Sequence, residues 1–183
     1  MITEIQRKLN LNALGAVQDS NMNMHNKIYI FIISISLSFF ANCTTILESS
    51  IDKNEIDILE TVFRYQFAHN GSYIQDKASA YCIAIRFNDD PPLVLLNRFK
   101  DHDPSVIPWS ECKYNSRRVV VMRKTNQQVI SFDVRGIIWI SSQEVKVYGT
   151  YYENGTSAAG YNYEVRNTNG KWEVVNEIRD WVS

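Results

Sequence analysis

The sequence is poor in the residues that most catalytic and metal sites require. Its 183 residues include three histidines, and only His69 and His102 lie beyond the first 25 positions. Histidine is the usual general base and a common metal ligand. The run Asp101-His102-Asp103 offers adjacent loop positions, which seldom converge on one ion. No phosphate loop or dinucleotide fingerprint is present. We therefore expect no metal site and no cofactor.

A strong charge of one sign is also missing. The formal net charge is −1 at pH 7, whereas a nucleic-acid binder needs a basic field to neutralise phosphates. The two short basic runs, Arg117-Arg118 and Arg123-Lys124, flank an apolar stretch and are typical of an exposed strand edge. We expect no nucleic-acid partner.

No apolar run reaches the length of an ordinary membrane-spanning helix. The longest, Ile28–Ala41 (IYIFIISISLSFFA), follows Lys27 and would measure about 21 Å as a helix, against a hydrocarbon core of about 30 Å. An apolar run of this length behind a cation is the central region of a secretory signal peptide. A start at Met22 or Met24 would give a leader of ordinary length. Residues 22–42 are therefore interpreted as a signal peptide, and residues 1–21 as an N-terminal extension from a mis-assigned start.

The apolar run ends in Phe40-Ala41-Asn42-Cys43, which resembles a bacterial lipobox, where a cysteine is acylated after cleavage. Asn42 stands where Gly or Ala is usual, and Phe40 where Leu is usual. The alternatives are ordinary signal cleavage and an uncleaved anchor. The resemblance implies an exported protein of the cell envelope that faces the periplasm or the exterior. It would be held at the membrane by lipid on Cys43, with residues 43–52 as a tether.

Only three cysteines occur, and lipidation of Cys43 would leave Cys82 and Cys112 as a pair. In an oxidising compartment such a pair commonly forms a disulfide, and this one would contribute about 3 kcal/mol in the chain-entropy model. The alternative is two buried free thiols.

Residues 53–183 are predicted to form one domain. Ile56, Leu59, Phe63 and Phe67 recur at helical spacing, which predicts an amphipathic helix over about 53–68 with Ser50 and Asp52 as candidate N-caps. Residues 80–87 alternate as a strand, and a short helix is predicted from Asp90-Pro91-Pro92 to about Lys100, followed by a loop to Ser116. Five further strands are predicted at 117–124, 128–140, 144–153, 158–167 and 171–181. Asn169-Gly170 predicts a hairpin turn before the last strand, and Gly136 and Gly149 within strands predict bends or bulges.

A helix followed by a long meander predicts an α+β domain, with the N-terminal helix packed on a strongly curved antiparallel sheet of about six strands. The C-terminal half contains GTYYENGTSAAGYNYEV at 149–165 and NGKWEVV at 169–175. This pattern resembles small bacterial secreted proteins, and the order of elements resembles the cystatin-like, or nuclear transport factor 2-like, cone. The resemblance covers about residues 55–183 and implies a fold without an activity.

The candidate site follows from this fold, because a cone leaves a cleft between its concave face and the first helix. Strict alternation places Asp133, Arg135 and Trp139 on one face of their strand, and Tyr148 and Tyr152 on one face of the next. If this face is concave, the five side chains form a polar-aromatic pocket in which Asp133 is a buried acid or base. If it is convex, Asp133 and Arg135 form an exposed ion pair of little energetic weight. The second arrangement is the one we expect.

Two functions from different classes are consistent with these patterns. The first is an envelope-anchored lipoprotein without enzymatic activity, whose domain binds a partner protein or a small ligand. The second is a small enzyme that uses Asp133 for acid-base catalysis in a Tyr- and Trp-lined pocket.

Mass spectrometry of the native protein tests the leader and the tether together. We expect a mature chain that begins at Cys43 with acyl chains on its sulfur, and a Cys43→Ala variant that no longer partitions into detergent. A native N-terminal peptide that begins at Met1 would contradict this interpretation.

Overall fold

The computed structural model describes residues 52–71 and 77–183. Residues 1–51, which include the candidate leader and Cys43, lie outside this part of the chain. The elements in chain order are α1 (Lys53–His69), β1 (Ala80–Ile85), α2 (Leu93–Leu96), β2 (Ser105–Pro108), β3 (Cys112–Tyr114), β4 (Val120–Met122), β5 (Ile130–Ser141), β6 (Glu144–Asn154), β7 (Ser157–Thr168) and β8 (Lys171–Val182). The domain is α+β, as predicted.

The main sheet is open and mixed, with the strand order β2-β1-β5-β6-β7-β8. Strands β5 to β8 form an antiparallel meander, but β1 runs parallel to both of its neighbours. The prediction of a wholly antiparallel sheet is therefore wrong at β1. The connections that leave β1 are long enough for the crossovers that parallel pairing requires.

Helix α1 packs on one face of this sheet, here called the inner face. Asp52 caps the helix, and its side chain accepts a hydrogen bond from the backbone N–H of Asn54. The predicted apolar stripe is buried against aromatic and branched side chains of β1 and β5 to β8. Arg98 fixes the segment after α2 to this helix, because its Nη1 lies 2.7 Å from Asp57 and 2.6 Å from Glu60.

A smaller core lies on the opposite, or outer, face of the sheet, beside β1. Strands β3 and β4 form a separate antiparallel hairpin that covers Ala80 and Cys82 of β1. The predicted disulfide is present and joins Cys82 to Cys112 at the start of β3. The prediction of residues 117–124 as a strand of the main sheet is thus wrong. Within this range only Val120–Met122 forms a strand, and it pairs with β3. Strand β3 itself lies in a stretch that was predicted to be a loop.

One turn and one bulge of the main sheet occur where the sequence predicts them. Asn169 and Gly170 both have positive φ, at 54° and 85°, as a primed hairpin turn requires. A bulge interrupts the register between Val134 and Gly136, as predicted at this glycine. The absence of a side chain at Gly149 is explained by packing, because a Cβ there would lie 2.6 Å from Gln66 Nε2 of α1. This glycine therefore leaves room for the buried Gln66 side chain between α1 and the sheet.

Gly149→Ala should destabilise the domain by about 1–3 kcal/mol, because the new methyl group would displace the buried amide of Gln66 and crowd the ring of Tyr163. Gly136→Ala is the matched control, since no atom lies within 4 Å of a Cβ built there. Urea denaturation of the two variants measures the difference. Equal midpoints for both variants would contradict the close contact between Gly149 and Gln66.

Candidate functional site

The bulge at Arg135 decides which side chains meet on the outer face. Before it, Phe132 and Val134 are part of the inner core, and Asp133 points to the outer face. After it, the alternation is shifted by one residue, so Trp139 lies on the inner face and contacts Trp172 at 5.6 Å between ring centroids. Trp139 is therefore separated from Asp133 by the sheet. The placement of both on one face was wrong because an inserted residue reverses the alternation.

Asp133 is buried on the outer face, with 7% of its side chain exposed. Its Oδ2 accepts a hydrogen bond from Nε of Arg135 at 3.1 Å. Its Oδ1 accepts no hydrogen bond from any residue that the structure describes. The expectation of an exposed ion pair is thus wrong for Asp133. A buried carboxylate oxygen without a partner costs more free energy than a neutral group does, and it requires an explanation.

Burial raises the pKa of the Asp133 carboxyl above its ordinary value. The hydrogen bond and charge of Arg135 oppose this shift, and the backbone N–H of Phe87 also lowers the pKa, although it does not form a hydrogen bond of acceptable geometry with Oδ1. The charge of Asp89 adds to the increase. Loss of hydration therefore outweighs the nearby cation, which indicates that solvent reaches this carboxylate poorly.

Aromatic side chains surround Asp133. Tyr152 lies on the same face, where its hydroxyl donates to the carbonyl of Arg118 at 2.9 Å, and its ring meets Tyr114 of the hairpin edge to face at 5.4 Å. On the opposite side, Nε1 of Trp181 donates to the hydroxyl of Tyr148 at 2.8 Å. The structure therefore brings together Asp133, Arg135, Tyr148 and Tyr152 of the predicted set.

Gly160 makes room for Trp181 on this face. A Cβ at Gly160 would lie 2.7 Å from the hydroxyl of Tyr148 and would also overlap the indole of Trp181. The indole of the last strand can therefore lie across β7 only because this position has no side chain.

A strained turn completes the site at the end of β1. Arg86, Phe87 and Asn88 have φ values of 48°, 68° and 79°, a run of left-handed residues without a glycine among them. Arg86 and Phe87 each cost about 1–2 kcal/mol in this conformation, whereas asparagine adopts it readily, and strain of this kind concentrates at functional sites. The turn places the ring of Phe87 against the Arg135 guanidinium at 5.1 Å and brings Asn88 to the wall of the cavity.

These groups enclose a cavity of about 60 Å³, here called the outer cleft. Its floor contains Ser131, Asp133 and Thr150, of which Asp133 and Thr150 are directly paired across β5 and β6. Asn88, Tyr114, Tyr152 and Trp181 form its walls. The cleft offers an acceptor without a partner, a guanidinium, an amide and hydroxyl groups within an aromatic rim. Such a set suits the recognition of a small polar group.

Sequence reasoning missed Asn88, Tyr114 and Trp181. The positive φ of Asn88 is compatible with its residue type, so the turn signal Asn88-Asp89-Asp90 was available. Tyr114 reaches the cleft through the disulfide-linked hairpin, which no local pattern shows. Trp181 depends on the missing side chain of Gly160 in the neighbouring strand, which only the register of β7 with β8 reveals.

The histidines that the structure describes do not gather a site of this kind, whereas Arg135 and Trp139 of the predicted set both line another cavity. Nδ1 of His102 lies 2.8 Å from the carbonyl of Pro104, and no group of three potential metal ligands occurs within the described ranges. None of the helices described is long and apolar enough to cross a membrane. A second cavity of about 370 Å³ lies on the inner face beside Glu55, Leu59 and Trp139.

Comparison of the chain with protein-family models, with curated proteins and with solved structures found no match.

If burial raises the pKa of Asp133, the difference in the free energy of unfolding between the wild type and Asp133→Asn should depend on pH. Below the ordinary pKa of 3.8, Asp133 is protonated in both the folded and the unfolded chain, so the wild type and the variant should be similar. As the pH rises above that value, the unfolded chain releases the proton first, and the wild type should lose stability relative to the variant. The loss should amount to about 1.4 kcal/mol per pH unit at most, and it should stop growing once the pH exceeds the raised pKa of the folded state.

Urea denaturation between about pH 3 and pH 8 measures this difference. Asp101→Asn, at an exposed aspartate before β2, is the matched control. A wild type that gains stability over Asp133→Asn as the pH rises would show that Asp133 is stabilised as an anion, and would contradict the burial.

Proposed function

We propose that this chain is an envelope-anchored lipoprotein without enzymatic activity, whose domain binds a small polar group in the outer cleft. The ligand is a small molecule or a protruding group of a partner protein. The observation that carries the proposal is the Asp133 carboxyl, which belongs to the lining of the cavity and whose buried Oδ1 has no hydrogen-bond partner within the described residues. A bound donor would remove the cost of burying this atom.

The proposed location rests on the leader pattern before Cys43 and is supported by the Cys82–Cys112 disulfide. Disulfides of this kind persist in oxidising compartments and are rare in the cytosol. The bond attaches the hairpin β3–β4 to β1, and the hairpin supplies Tyr114 to the cleft. Export would therefore support the shape of the site as well as its location.

The size of the cleft favours binding over chemistry. Substrate pockets usually measure about 300–1,000 Å³, whereas the outer cleft measures about 60 Å³. That space admits a part of a ligand and leaves the rest at the aromatic rim.

An acid-base enzyme is the second candidate, and the raised pKa of Asp133 favours it. Catalytic carboxylates are commonly adjusted in this way by burial. The two functions differ in turnover: a bound compound that is released chemically altered by the wild type, and unaltered by Asp133→Asn, would favour the enzyme.

We also propose that the sheet curves around α1 as in cystatin-like, or nuclear transport factor 2-like, domains. Support comes from the bulges in β5, β6 and β7–β8, because bulges increase the local twist and bend of a strand. The parallel pairing of β1 with β5 is a departure from a fully antiparallel cone.

A screen of small polar fragments against the full chain tests the binding function. We expect some fragments to shift the NMR signals of the Trp181 indole and Tyr114 in a saturable way, and Asp133→Asn to weaken these fragments about tenfold, as for loss of one charge-assisted hydrogen bond. Trp139→Phe, on the inner face, should leave the binding unchanged. A diverse screen in which no fragment affects Trp181 or Tyr114, with the fold intact, would contradict the proposal.

A further inference from the structure

The charges of the outer cleft limit the kind of ligand that it can hold. Asp133 and Arg135 form an ion pair at 3.1 Å, so the cleft presents one charge of each sign. An anion would approach the Asp133 carboxylate, and a cation would approach the Arg135 guanidinium, at close range and with poor hydration. Either would lose in repulsion much of what it gained in attraction. A neutral group avoids this cost.

The polar atoms of the cleft require a ligand that both donates and accepts. Oδ1 of the ionised Asp133 carboxylate can only accept, the Arg135 guanidinium can only donate, and the Asn88 amide and the hydroxyl groups of Ser131 and Thr150 can do both. A ligand hydroxyl likewise donates one hydrogen bond and accepts others. Two neighbouring hydroxyls therefore match an adjacent acceptor and donor better than an amine or a carbonyl does.

The volume and the rim set the shape of the rest of the ligand. A cavity of about 60 Å³ has space for a few water-sized groups, so it admits the hydroxyl edge of a ring and excludes the ring itself. The ring would lie at the rim, where Tyr114 is 50% exposed and Trp181 is 38% exposed. These two aromatic faces would cover a ligand surface made of C–H groups.

We propose that the outer cleft binds a neutral sugar, with two neighbouring hydroxyls directed at Asp133 and Arg135 and an apolar ring face against Tyr114 and Trp181. A pyranose combines these two features in one molecule. The strained turn at Arg86–Asn88 holds Asn88 at the wall of the site before the ligand arrives, which reduces the entropy lost on binding. This inference rests on the proposed binding function and names its ligand class.

The test titrates the full chain with glucose, galactose, mannose and N-acetylglucosamine, and follows the indole signal of Trp181 by NMR. Glucosamine and glucuronate are the charged analogues. At least one neutral sugar should give a saturable shift at millimolar concentration, and its charged analogue should bind about tenfold more weakly or not at all. Asp133→Asn and Tyr114→Ala should each weaken the sugar about tenfold, equivalent to about 1.4 kcal/mol. Asp101→Asn and Trp139→Phe should leave its affinity unchanged.

The outcomes separate the ligand class from the binding function. Binding of glucosamine or glucuronate through Asp133, as tight as that of the neutral sugars or tighter, would overturn the sugar proposal and retain the function. Absence of a saturable shift with every sugar would also overturn it, and the fragment screen would then decide the function. A neutral sugar that binds Asp133→Asn as tightly as the wild type would overturn it too, because the sugar would then be held elsewhere.

Discussion

Strand β1 must be covered on both faces, and the arrangement of the rest of the domain follows from this. All six of its residues are buried: Tyr81, Ile83 and Ile85 belong to the inner core, and Cys82 to the outer one. Helix α1 covers the inner side. No α-helix of the described chain covers the outer side, so a short hairpin does so. Its two strands of three residues each bury too little surface to hold their position alone. The disulfide at Cys82 supplies the missing constraint.

The outer cleft exists because this cover is incomplete. Strand β3 of the hairpin ends at Tyr114, whose ring contacts Tyr152 of β6. The indole of Trp181 approaches from the other edge of the sheet across Gly160. Asp133 lies between them, under the turn that ends β1. Its burial is therefore produced by three segments that are distant in sequence. On the inner face, where a cone-shaped domain would have its cleft, the main core fills most of the space against α1 and leaves a cavity beside Glu55, Leu59 and Trp139.

This arrangement explains which features could be predicted from the sequence. The α1 stripe, the Asn169-Gly170 turn and the strands of the meander are encoded locally, in spacing and turn residues, and they are where they were expected. The disulfide required only the number of cysteines and the inferred compartment. The site was identified in part: Asp133, Arg135, Tyr148 and Tyr152 do meet, but the bulge at Arg135 places Trp139 on the opposite face. A bulge shifts the alternation by one residue. Its exact position depends on how β5 pairs with β6, which cannot be predicted from the sequence of β5 alone.

Several locally unfavourable features coincide in the outer cleft, and this coincidence is the strongest argument that the cleft has a function. Arg86, Phe87 and Asn88 adopt left-handed conformations without glycine, a carboxylate is buried with one oxygen lacking a partner among the described residues, and Trp181 is 38% exposed beside Tyr114 at 50%. A sequence selected for stability alone would replace each of them at little cost: glycine in the turn, a hydroxyl or an apolar residue at position 133, and polar residues at the rim. The three features belong to different segments and have no common structural cause, but Asn88 of the turn, Asp133 and the two rim aromatics all line one cavity. A ligand with a hydroxyl edge and an apolar face would stabilise all three together, because it would give Oδ1 a donor, cover the rim and make use of the position that the strained turn imposes on Asn88.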